Sequence, residues 1–216
     1  LEIKPCQFVA IVGTNGAGKS SLLKAIAGEL EDGLTGDIFV GNASKVNEPI
    51  NRVIDGVGIV HQYDEFDLIE NLTVAQNIAI RQILGRGHIG KIFAITESWG
   101  NDLLHTIGKF DLKLPSMNVN VSDLSGGERQ ILNLSIAIHF EHKRNPCKLL
   151  LLDEHTSRLS PKNATNIMNF TINEIQKYKM TTIMVTHLYK DAAEYAERIL
   201  VITDGKIYKD LDNSKK

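Results

Sequence analysis

The chain has 216 residues, 43% of them apolar and 23% charged, which excludes the disordered and fibrous classes and suits one α/β domain carrying an insertion. Lys and Arg total 24 against 26 Asp and Glu, a net charge of −2 that argues against a dedicated duplex-binding surface, so no nucleic-acid partner is expected. Apolar runs fall far short of the roughly 20 residues of a membrane span. No secretory leader is read at Leu1, and Cys6 and Cys147 are too few for a disulfide framework, which fits a reducing compartment.

In chain order, residues 7–12 are an apolar run ending at Gly13 and read as a strand buried on both faces. Leu22, Leu23, Ile26 and Leu30 recur at helical spacing and predict a helix over 19–30. Residues 31–60 are broken by Asp-Gly, Thr-Gly and Gly-Asn steps into short β-rich pieces at 37–40 and 57–60, which predict a small antiparallel region. Helical patterns occupy 72–112, and another helix begins near Ser125 with Ile131, Leu134 and Ile138 on one face. Residues 149–152, 181–185 and 199–202 read as further buried strands. Between the first two, Ser160 as N-cap and Pro161 at the first helical position open a helix. Its buried face is predicted to hold Ala164, Ile167, Met168, Thr171, Ile175 and Tyr178. Buried strands alternating with helices predict a mostly parallel sheet covered on both sides, with a helical insertion in the middle of the chain.

Gly13-Thr14-Asn15-Gly16-Ala17-Gly18-Lys19-Ser20 matches G-x-x-x-x-G-K-[ST] between a strand and a helix, the setting that a phosphate-binding P-loop requires. Its glycines let successive N–H groups turn inward onto phosphate oxygens, and the helix that follows adds its positive end. Asn15 to Ser21 (Asn15, Gly16, Ala17, Gly18, Lys19, Ser20, Ser21) are therefore the candidate ATP-binding residues. Lys19 is suited to the β- and γ-phosphates and Ser20 to Mg²⁺. Downstream, Asp153 and Glu154 end a buried strand, where ligands sit in open α/β sheets. Asp153 is suited to the Mg²⁺ shell and Glu154 to polarising a water for attack on the γ-phosphate.

Ser125 and Glu128 form an S-x-x-E capping box, yet Gly126 and Gly127 between them cost helix stability and serve no cap. Bare N–H groups beside a serine hydroxyl at a helix start suit an anion. Here the chain resembles the ATP-binding cassette (ABC) ATPases, whose signature reads LSGGQ where this sequence has Leu124-Ser125-Gly126-Gly127-Glu128. The resemblance runs along nearly the whole chain in the family's order. Gln62 matches the glutamine loop, His187 in Val185-Thr186-His187 matches the switch histidine, and Asp204-Gly205-Lys206-Ile207 is similar to the terminal hairpin. Gln76 stands where the family commonly has Glu.

The resemblance implies a P-loop NTPase (RecA-like) α/β core with a small antiparallel β region and an inserted α-helical subdomain. Residues 1–67 and 141–216 would form the ATP-binding core and 68–140 the subdomain, together one ABC ATPase domain. It implies catalytic roles for Glu154, His187 and Gln62, and a Mg²⁺ shell of Ser20, Gln62 and Asp153. Ser125, Gly126, Gly127 and Glu128 would reach the ATP held by a second subunit, the cofactors being ATP and Mg²⁺. The expected function is the ATPase subunit of a membrane transporter at the cytoplasmic face of the membrane. It would pair as a homodimer and dock on permease subunits, with a solute-binding protein as a further partner.

Asp153-Glu154-His155-Thr156-Ser157-Arg158-Leu159-Ser160-Pro161-Lys162 resembles the family's DEPTSALDPK with His155 for Pro, Arg158 for Ala and Ser160 for Asp. The DEHT spelling is similar to importers assigned to aromatic amino acids, so import of a small solute such as an amino acid is expected. Ser160 is expected to keep the helix capped. Cys6 stands where many relatives have Gly and is expected to be a small buried residue. The family's upstream strand, with its adenine-stacking aromatic residue, has no counterpart within residues 1–216, so weakened nucleotide binding is expected of this stretch alone. The other readings are a soluble ABC ATPase acting on nucleic acid or ribosomes, and a degenerate cassette that binds ATP as a regulator.

Overall fold

The structure is a computed structural model and describes residues 1–30, 33–40, 43–44, 56–62, 67–86, 97–139 and 147–214. Its main sheet has six strands: β1 (Phe8–Gly13), β4 (Val57–Val60), β5 (Leu149–Asp153), β6 (Thr181–Val185), β7 (Arg198–Thr203) and β8 (Lys206–Asp212). They lie in the order β4-β5-β6-β1-β7-β8, all neighbours parallel except the β7–β8 hairpin. β2 (Phe39–Val40) and β3 (Ala43–Ser44) form a separate antiparallel pair.

The continuous apolar runs have a direct cause, because both faces of the sheet are covered. Val9 and Ile11 pack on one side with Leu23 and Ala27 of α1 (Lys19–Ala27). Ala10 and Val12 pack on the other with Ile131, Leu134 and Ile138 of α4 (Gly126–His139) and Ile167 and Phe170 of α5 (Pro161–Tyr178). Between β4 and β5 the described residues form α2 (Val74–Arg86), α3 (Glu97–Gly108), a 3₁₀ turn at Val121–Asp123, then α4. A short α6 (Tyr189–Tyr195) links β6 to β7. Among the described residues no helix is long and apolar enough to cross a membrane.

Five sequence expectations need correction. Val57–Val60 does not belong to the antiparallel region: it is the edge strand of the main sheet, pairing Val57 with Leu149 and Val60 with Leu152. Gly58 permits this, because a Cβ there would lie 2.6 Å from the Ala137 carbonyl oxygen on α4. The first helix stops at Ala27, since Gly28 turns left-handed (φ 86°) and donates to the carbonyls of Lys24 and Ala25. Ser160 occupies the N-cap position, but its hydroxyl makes no capping bond, and only its carbonyl is used, by Ala164 N–H at 2.9 Å. In the same helix the buried face takes Phe170 and Glu174, whereas Tyr178 is 39% exposed. Cys6 is exposed, with φ 61°, a left-handed turn residue. That conformation explains why glycine suits the position better than a small packed side chain.

Candidate functional site

The order of the sheet sets β6 between β1 and β5, so the carboxyl ends of all three lie side by side: Asp153 pairs with Val185, and Val185 with Ile11. Such an edge is where open α/β sheets bind ligands. The loop leaving β1 turns through Gly16 (φ 79°) and Gly18 (φ 93°) into α1. A Cβ on Gly13 would strike the Ile202 carbonyl of β7, so glycine is required where the two strands meet. The β7–β8 turn supports the loop from outside, Gly205 N–H donating to the Ala17 carbonyl at 3.1 Å. Asn15 and Gly16 in the loop are exposed, Ala17 and Lys19 are buried, and Ser20 and Ser21 on the first turn of α1 are exposed. The first N–H groups of that helix have no acceptor within it, which suits an anion held by the loop.

Lys19 is only 5% exposed, and its Nζ donates to the carbonyls of Gly13 (3.0 Å) and Thr14 (2.9 Å). Both acceptors are neutral, so the ammonium charge is left for an anion. Ser20 Oγ donates to Asp153 Oδ1 at 3.0 Å, joining the loop to the end of β5. Burial holds the Asp153 carboxyl above the usual carboxylate range, with the Glu154 charge adding to the effect and the Ser20 hydroxyl opposing it. A half-desolvated carboxylate beside a second one and a hydroxyl is a hard-oxygen donor set that suits Mg²⁺. Among the described residues no group of three or more His, Cys, Asp or Glu is arranged to hold a metal. Ser20 and Asp153 would offer protein oxygens to an ion whose other positions other ligands would fill.

Glu154 has φ 46° and donates its own N–H to the Val185 carbonyl at 3.0 Å, so β6 fixes its turn. Its Oε2 accepts the Gln62 Nε2 at 3.0 Å and lies 3.2 Å from His187 Nδ1. Oε1 takes no part in either contact and is the oxygen suited to a water. Thr186 shapes the following turn, its Oγ1 accepting Leu188 N–H at 3.0 Å. His155, standing where the resembled motif has Pro, is 3% exposed, and burial pushes its pKa down to about 4, so it packs as a neutral ring.

Lys19, Ser20, Gln62, Asp153, Glu154 and His187 thus meet at one strand edge. Ser125, Gly126, Gly127 and Glu128 do not join them. They open α4, with Ser125 N–H donating to Glu128 Oε2 (2.7 Å) and Glu128 N–H to Ser125 Oγ (3.3 Å), a closed capping box. Ser125 and Gly126 are exposed, and Gly127 backs onto α5, where a Cβ would lie 3.1 Å from Asn163 Nδ2. Thr73 and Gln76 make a second capping box at α2, which accounts for Gln76. The sequence reading missed the ring of Glu29, His61, Asp67 and Asn133 beside Gln62. Its only signal was the adjacency of His61 to Gln62.

Residues 1–157 match the family model described as ABC transporter. The chain is 30% identical over 217 residues to the tyrosine transport ATP-binding protein of Clostridioides difficile, covering all of this chain and 83% of that protein. It is 34% identical over 211 residues to the thiamine import ATP-binding protein of Escherichia coli, covering 96% and 82%. Its structure is similar to a dimeric post-hydrolysis ATP-binding cassette bound to ADP and Pi, with TM-score 0.78, 27% identity and coverage of 99% of this chain and 88% of the other.

Proposed function

Because the chain belongs to the ABC transporter family and is an ATPase, we propose that it energises import of a small solute such as an amino acid. Two copies pair as a homodimer at the cytoplasmic face of the membrane, held there by permease subunits, and a solute-binding protein delivers the cargo. Residues 1–67 and 141–216 act as the ATP-binding core, and 68–140 as the helical subdomain of a single domain.

In this reading the Asn15–Ser21 backbone and Lys19 hold the triphosphate. Glu154, steadied by Gln62 and His187, takes the proton of the attacking water at Oε1. Ser20, Asp153 and Gln62 would hold Mg²⁺, which would supply positive charge against the phosphates. Ser125–Glu128 of one copy closes over the γ-phosphate held by the other, so ATP is part of the interface and its hydrolysis releases the halves. The meeting of Gln62 and His187 on one oxygen of Glu154 carries the reading, since a cassette that only binds nucleotide has no need to orient that carboxylate. The import name of the Escherichia coli relative supports the direction.

The test is reconstitution with its permease in vesicles. ATP supplied on the cassette's side should drive solute toward that side, and Lys19→Ala should abolish the movement. Solute driven the opposite way would refute import, and hydrolysis stimulated by nucleic acid or ribosomes instead of by permease would refute the transporter reading.

A further inference from the structure

His61 leaves the end of β4 one residue before Gln62, and both of its ring nitrogens face carboxylate oxygens. Nδ1 lies 2.8 Å from Asp67 Oδ1, and Nε2 lies 2.9 Å from Glu29 Oε2. A neutral imidazole carries one N–H, so two carboxylate acceptors require both nitrogens to be protonated. The ring therefore joins the two carboxylates by its contacts alone.

Asp67 is the hub of the arrangement, its side chain 1% exposed. Besides the ring it accepts the His61 backbone N–H at 3.1 Å and Asn133 Nδ2 at 2.7 Å, and it lies 3.6 Å from the Arg81 guanidinium. Glu29 follows α1 on the core side, whereas Arg81 belongs to α2 and Asn133 to α4 in the helical insertion. Residue 61 is thus tied through ring and backbone to both parts of the molecule. The next residue delivers its amide to Glu154 Oε2 at 3.0 Å.

We propose that His61 is a positioning residue: bridging Glu29 and, through Asp67, the Asn133 and Arg81 side chains of the helical insertion, it fixes the Gln62 amide against Glu154 and so sets turnover without touching nucleotide. A desolvated ion cluster of this kind contributes little to stability for its cost, but it fixes one arrangement of the groups it joins. The inference rests on the reading of Glu154 as the water-activating carboxylate.

The experiment is a double-mutant cycle on ATPase activity of the full-length protein, with His61→Ala, Gln62→Ala and the pair. His61→Ala should lower kcat about tenfold with KM and nucleotide affinity within about twofold of wild type, because the lost interaction lies outside the phosphate site. In the Gln62→Ala background it should cost nothing further, since its effect passes through Gln62. A second, equal loss in that background would overturn the proposal, and so would a raised KM with kcat unchanged. Glu29→Gln, at a side chain 35% exposed, keeps the fold in play should His61→Ala not fold. It should lower kcat about threefold in the wild-type background and not at all in the Gln62→Ala background. Wild-type kcat in Glu29→Gln and His61→Ala, with Glu154→Gln inactive, would overturn this inference alone. Full turnover in Glu154→Gln would overturn the site reading beneath it.

Discussion

Glu154→Gln separates chemistry from architecture at this site. Gln62 and His187 both approach the same oxygen of Glu154, Oε2, at 3.0 and 3.2 Å. A glutamine whose amide oxygen takes that place keeps an acceptor there and turns its NH₂ to where Oε1 stood. The left-handed backbone at φ 46° carries the same strain for either side chain, and the bond from 154 N–H to the Val185 carbonyl is unaffected. Fold, phosphate loop and the Asp153 carboxylate therefore stay as they are, and only the proposed proton acceptor is lost. General-base removal costs about 10²–10⁴ in rate, or about 3–5 kcal/mol of barrier. Steady-state phosphate release should show kcat reduced by that factor, and nucleotide titration should show binding within about twofold of wild type. A variant that turns over within about tenfold of wild type, or loses kcat only in proportion to nucleotide affinity, would refute the assignment of Glu154 as base.

Lys19→Ala removes the buried ammonium that rests on the Gly13 and Thr14 carbonyls, and ATP affinity should fall at least about thirtyfold by fluorescent-nucleotide titration, while unchanged affinity would place the phosphates elsewhere. Gly58→Ala forces a Cβ against the backbone of α4 and should destabilise by about 1–3 kcal/mol, lowering Tm by roughly 3–10 °C, whereas a neutral substitution would refute the close approach. Burial opposes the charge of Glu174, but His139 at 3.1 Å, with Lys177 and Asn173, outweighs it and holds the carboxyl below its ordinary 4.5. A lowered carboxyl gives stability that is present above the unfolded value and lost as pH falls through the folded one. Urea unfolding between about pH 5 and about pH 3 should therefore steepen with acid in wild type and flatten in Glu174→Gln, and parallel slopes would refute the pairing.

What the sequence disclosed was what is local in the chain. The phosphate loop lies within eight consecutive residues, the Asp153–Glu154 pair ends one apolar run, and the Ser125–Glu128 box closes over three positions. Each is a short-range geometry that spacing dictates. What it withheld depends on distant partners. Residues 57–60 sit among turn-forming steps, and only pairing with Leu149–Asp153, some ninety positions away, makes them an edge of the main sheet. Ser160 looks like a cap by residue type, but its hydroxyl finds no amide to accept. Buried Glu174 meets His139 of another helix at 3.1 Å, and the Glu29–His61–Asp67 bridge draws its members from both sides of the glutamine position.

The central claim, that bound ATP seals two copies through the Ser125 turn, is tested most directly by sedimentation of Glu154→Gln with ATP and Mg²⁺. The account predicts a dimer with ATP, a monomer with ADP, and a monomer that still binds ATP once Ser125→Arg is added. A Glu154→Gln protein that is saturated with ATP yet stays monomeric, or dimerises equally well with Ser125→Arg, would contradict it.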